Sequence, residues 1–105
     1  MKTIIILSAA ALAIVAPAAQ ALAAAAPYLG YELASRAKVQ LAQAEAIAAK
    51  ARPGRIIDRE LEKEAGGSGL RWSFNVSSRG KAFEVGVDAQ TGKVLENRVE
   101  GAHPD

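Results

Sequence analysis

The chain predicts an α+β fold, with one Ala-rich helix packed on a four-stranded antiparallel meander sheet. Three observations carry this. Leu41 to Ala51 repeats apolar residues at three- and four-residue spacing, the period of a helix with one buried face. From Leu70 to Val99 the apolar residues alternate with polar ones, the period of half-buried strands. Glycines at positions 80 and 92 stand where that alternation breaks, as turns between antiparallel strands require.

The chain has 105 residues, which allows one small domain. Its first residues read as a signal peptide. Lys2 is a short basic start, Ile4 to Val15 is an apolar run with one serine, Ser8, and Pro17 precedes small residues. Ala19-Gln20-Ala21 and Ala21-Leu22-Ala23 both fit the small-x-small rule, so residues 1–23 form the expected signal, cleaved after Ala21 or Ala23. Pro17 and Gln20 interrupt the apolar run well short of the ~20 residues that a membrane span needs. No stable membrane anchor is therefore expected after cleavage, and the mature chain is expected in the periplasm or secreted. Residues 24–37 read as a partly helical linker, with Gly30 inside the stretch Tyr28 to Lys38.

The helix comes next. Leu41, Ala44, Ile47, Ala48 and Ala51 make its buried stripe, while Gln43 and Lys50 fall on the wet side. Alanine loses no side-chain entropy in a helix, and a stripe of small residues lets the axis approach a sheet closely. Arg52-Pro53-Gly54 ends it.

Arg55 to Glu64 reads as the first strand and as an edge strand. Ile57, Arg59, Leu61 and Lys63 share the inner row, with Asp58, Glu60, Glu62 and Glu64 opposite. Charged residues on the inner row snorkel at an edge and discourage edge-to-edge aggregation. Ala65 to Gly69 is a flexible turn. The second strand puts Trp72, Phe74 and Val76 on one face, and the third puts Phe83, Val85 and Val87 there. A two-residue turn at Arg79-Gly80 sets Val76 opposite Phe83, Phe74 opposite Val85 and Trp72 opposite Val87. A three-residue loop, Gln90-Thr91-Gly92, sets Val87 opposite Leu95, Val85 opposite Asn97 and Phe83 opposite Val99. The fourth strand, Lys93 to Glu100, thereby extends the core with Leu95 and Val99. The domain spans residues 38–101, and residues 102–105 are a frayed tail.

Composition excludes several classes of function. The chain has no cysteine, so disulfides, thiolate metal sites and cysteine nucleophiles are absent. The formal net charge of +2 rests on a near balance of both signs, which gives no basis for nucleic-acid binding. His103 is the one histidine and lies in the tail beside Pro104 and Asp105, where it reads as solvated rather than as a metal ligand. The carboxylates Asp58, Glu60, Glu62 and Glu64 read as the wet face of a sheet, balanced by Arg71 and Arg98. Ser77 and Ser78 belong to a turn. No catalytic, cofactor-binding or metal-binding residues emerge, and the expectation is that the protein is not an enzyme.

Gly86 stands out, because glycine inside a strand weakens it and sometimes marks the close approach of another backbone. The register places it opposite Ser73, with Asn75 and Glu84 beside them. Two readings stand: a shallow protein-contact patch of Ser73, Asn75, Glu84 and Gly86, or a small residue on an exposed face. On either, Gly86→Thr is expected to stabilise the strand.

Several segments together resemble a known family. Gln43-Ala44-Glu45-Ala46-Ile47-Ala48 with Arg52-Pro53-Gly54-Arg55-Ile56-Ile57 is similar to the helix and helix end of PepSY domains. Glu60-Leu61-Glu62-Lys63-Glu64 and Trp72-Ser73-Phe74-Asn75-Val76 resemble their first hairpin, and Phe83 to Leu95, with Asp88-Ala89-Gln90-Thr91-Gly92-Lys93-Val94-Leu95, resembles the closing one. The resemblance runs from about Lys38 to Glu100. It implies a peptidase-propeptide-like module that binds and restrains a peptidase or another envelope protein. The alternative is a ligand-sensing or regulatory accessory domain for a membrane partner. Gly86 departs from the family, which usually carries a longer residue there. The family has no invariant catalytic set, so the resemblance implies no catalytic residue and no cofactor.

Overall fold

The computed structural model describes residues 28–101. The expected signal peptide, residues 24–27 of the linker and the tail with His103 lie outside them. A short 3-10 helix, Tyr31–Arg36, leads into helix α1, Leu41–Ala51. Strands β1 (Arg55–Lys63), β2 (Leu70–Ser78), β3 (Lys81–Asp88) and β4 (Val94–Val99) follow. They form one antiparallel sheet in the order β1-β2-β3-β4, so the predicted meander with one helix on it is the observed fold.

The small stripe of α1 does what its size allows. Ala44 and Ala48 are fully buried against the sheet, with Leu41, Ile47 and Ala51 packed at the margins. The sheet supplies the bulk: Leu61, Trp72, Phe74, Val76, Val85 and Val87 are each at most 1% exposed. Burial of such a side chain contributes roughly 1.5–3 kcal/mol. The Trp72 indole N–H donates to the Val39 carbonyl at 2.8 Å. Both the Lys38 and Val39 amides donate to the Ala89 carbonyl, which fastens the start of α1 to the β3–β4 turn. The N-terminal segment packs on the same core. The Tyr28 ring meets Trp72 edge-on with centroids 5.3 Å apart, burial raises the Tyr28 pKa, and the Leu29 carbonyl accepts the Leu61 amide.

The β2–β3 register is the predicted one, with Trp72 opposite Val87, Phe74 opposite Val85 and Val76 opposite Phe83. Arg79 and Gly80 both take positive φ, 53° and 79°, as the two-residue turn demands. Elsewhere two irregularities correct the expected faces. A bulge between Ile56 and Asp58 sends Ile56, not Ile57, toward the core, and leaves Ile57 50% exposed. A second, between Gly86 and Val87, pairs Val87 with Val94 instead of Leu95. Leu95 is the extra residue and lies beside Gly67 of the β1–β2 loop. Val99 stays 38% exposed, so β4 does not extend the core through Leu95 and Val99 as expected.

What β4 does supply is a polar clasp. Asn97 Nδ2 donates to the Ala51 carbonyl at 3.1 Å, satisfying an orphan acceptor at the end of α1. Its Oδ1 accepts from Arg52 Nε at 3.0 Å, and the same guanidinium sits 3.9 Å above the Phe83 ring. Arg59 reaches up from β1 to pair with Glu45 of α1, so its charge is matched across the layers.

Candidate functional site: the outer sheet face

The β1–β2 loop covers the face of the sheet opposite α1 at its Arg71 and Asp88 end and leaves the rest open, and the side chains of that face follow from strand alternation. Three rows cross it. Asp58, Asn75, Glu84 and Arg98 form the first; Glu60, Ser73, Gly86 and Glu96 the second; Glu62, Arg71 and Asp88 the third. The first two rows line an open hollow, with Ser73 and Asn75 as floor and carboxylates as walls on both sides. Six carboxylates line it, Asp58, Glu60, Glu62, Glu64, Glu84 and Glu96, against one guanidinium group, that of Arg98; Arg59 also borders it, but its guanidinium is turned to Glu45 on the helix side. Ser73 Oγ donates to Glu62 at 2.8 Å. A side-chain hydrogen bond with Glu62, burial and the Glu62 charge raise the Glu64 pKa, and Arg71 and Arg98 pull against the rise.

The four patch residues are neighbours, as the register required, but they do not share one environment. Ser73, Asn75 and Glu84 line the hollow, whereas Gly86 is buried. Arg71 lies across it: a Cβ at position 86 would stand 2.9 Å from Arg71 Cδ and 3.3 Å from Glu96 Cβ. Glycine is needed so that this arginine can lie flat. Its Nη1 donates to Glu96 at 3.3 Å and stands 3.6 Å from Glu64, and its Nη2 donates to the Ala65 carbonyl at 3.1 Å. Arg98 holds the other oxygen of Glu96. The balancing expected of Arg71 and Arg98 therefore centres on Glu96.

This overturns the expectation for Gly86→Thr. The new side chain must displace the Arg71 side chain, which is 9% exposed, at a cost of about 1–3 kcal/mol. A lowered urea midpoint with an unchanged m value is the expected measurement; a raised midpoint would contradict the roof.

Asp88 closes the third row and serves structure. It is 1% exposed and accepts from the Ser68 amide at 2.7 Å, the Ser68 hydroxyl at 2.8 Å, and the Gln90 and Thr91 amides at 2.8 and 3.2 Å. Burial pushes its pKa up, but these donors outweigh burial and hold it at about 2. Sequence reading missed this pin and the Arg71 roof. The aspartate opening Asp88-Ala89-Gln90-Thr91-Gly92 was a visible turn signal, since such a side chain bonds amides two and three residues on. Nothing in the pattern announced Ser68.

Among the described residues, no group of three or more His, Asp or Glu side chains is placed to hold a metal ion. No described helix is long and apolar enough to cross a membrane. The arrangement offers a hollow, charged face on the sheet. Comparison with known proteins gives no significant match to a curated protein or a solved structure. A family model, described as the peptidase propeptide and YPEB domain, matches residues 38–98, more than half of the chain and the whole of the helix-on-meander unit except its last strand residue. The chain belongs to the PepSY family.

Proposed function

We propose that this protein is an exported, non-catalytic PepSY module that binds and restrains a peptidase or another envelope protein through its outer sheet face. The supporting observation is the hollow over Ser73 and Asn75: a recessed polar surface, bordered by Glu84 and by the Arg71 roof over Gly86, on the face that α1 leaves open. Carboxylates outnumber cations there, so a partner segment carrying lysine or arginine is the electrostatic match. Family membership supports the peptidase as partner, because the family description is that of a peptidase propeptide.

The test is crosslinking and affinity capture from the native envelope, with the wild-type chain and with Glu60→Lys/Glu62→Lys. The wild type is expected to retain a peptidase and lower its activity. The charge-reversed variant is expected to lose it at least tenfold, and added salt is expected to weaken the wild-type complex. A wild type that neither captures a peptidase nor changes its activity would refute the restraint. Capture of an integral membrane protein instead would favour an accessory domain.

A further inference from the structure

The two edges of the sheet differ. The edge of β1 is occupied at Leu61 by the Leu29 carbonyl, and the bulge at Ile56 breaks its line. The edge of β4 is met by no described strand.

Register fixes what β4 offers. The Glu100 amide donates to the carbonyl of Ala82, its cross-strand neighbour, at 2.8 Å. Hydrogen-bonded pairs recur every second residue in an antiparallel ladder, so Arg98 with Glu84 and Glu96 with Gly86 also direct their backbones at β3. The amides and carbonyls of Asn97 and Val99 consequently point away from the sheet. The side chains of Glu96 and Arg98 lie on the outer face, and that of Asn97 lies on the helix side.

We infer that β4 pairs antiparallel with β4 of a second copy, about a two-fold axis through Asn97, to make a continuous eight-stranded sheet. In this register Asn97 exchanges backbone hydrogen bonds with Asn97 of the second copy. Glu96 then stands opposite Arg98 of the second copy, twice by symmetry, in the positions where cross-strand Cα atoms come closest, about 4.5 Å. Sliding the copies by two residues either way sets Glu96 against Glu96 or Arg98 against Arg98. The strand is thus self-complementary in charge in the register that uses its outward backbone groups. Six residues make a short interface, so the dimer is concentration-dependent. The inference stands apart from the peptidase reading, since the chain alone suffices for it.

The experiment is sedimentation equilibrium of the protein, in the form its native host accumulates, from micromolar to millimolar concentration. Twice the monomer mass is expected at the top of the range and the monomer at the bottom. Arg98→Glu, at a 45%-exposed side chain, is expected to weaken association at least tenfold, and the swap Glu96→Arg/Arg98→Glu to recover it. Because Glu96 also holds Arg71, a second readout needs no variant: amide hydrogen exchange at Asn97 and Val99 should slow as wild-type concentration rises. A monomer at every concentration, or exchange at those amides that ignores concentration, overturns the inference. A dimer indifferent to Arg98→Glu overturns it too, and so does an edge that protects only when a peptidase is added.

Discussion

Trp72→Ala is expected to cost about 3–5 kcal/mol and to leave the domain largely unfolded at ordinary temperature. Trp72 is 1% exposed and belongs to three parts of the molecule at once. It pairs across the ladder with Val87 in the core, its indole N–H satisfies the Val39 carbonyl, and its ring meets that of Tyr28 in an edge contact. Truncation opens a cavity, orphans a buried acceptor and frees the N-terminal segment together. Trp72→Phe isolates the polar part, because it keeps most of the volume and loses the hydrogen bond; about 1–3 kcal/mol is expected. Urea unfolding followed by far-UV circular dichroism reads both variants. A Trp72→Ala loss below 1 kcal/mol would mean that the core does not centre on this residue.

Asp88→Ala is the second large loss, about 2–4 kcal/mol, since it strips the acceptor from three amides and one hydroxyl in part-buried hydrogen bonds. It also carries a pH signature. The folded pKa, about 2, lies below the ordinary 3.8, so the unfolded chain binds the proton more readily. The carboxylate therefore contributes stability that is fully present above about pH 5 and is lost as pH falls through 3.8 toward 2, roughly 2 kcal/mol in all. Urea midpoints measured from pH 6 to pH 2 should fall for the wild type. Asp88→Ala should start lower and flatten by that amount. Equal slopes for the two would remove Asp88 as the pin.

The helix and the central hairpin were legible in the sequence because each has a punctual marker. Arg52-Pro53-Gly54 stops α1, and Arg79-Gly80 leaves β2 and β3 one way to pair without burying charge. The two misplaced faces share a cause. Each bulge falls where two apolar residues are adjacent, Ile56-Ile57 and Val94-Leu95, so alternation there does not say which of the two points inward. A bulge absorbs one residue and reverses the parity beyond it. The candidate patch was legible as a set of neighbours, because register alone brings Ser73, Asn75, Glu84 and Gly86 together. The roof over Gly86 was not, because the direction of a long arginine side chain depends on partners 6 to 25 residues away. The Ser68 half of the Asp88 pin spans 20 residues and was hidden for the same reason.

The meander order also governs the sequence of events in folding. Every strand pairs with its neighbour along the chain across a connection of a few residues, so the sheet assembles from short loop closures with little entropy to overcome. The distant closures are those that bring α1 and its leading segment back, Val39 to Trp72 and Lys38 to Ala89. Hairpins of this kind form in microseconds, whereas that return must close loops of 33 residues and more. A sheet formed before α1 docks would expose the Trp72, Phe74, Val85 and Val87 surface, so the speed of helix docking sets how long a nascent chain would remain adhesive to others.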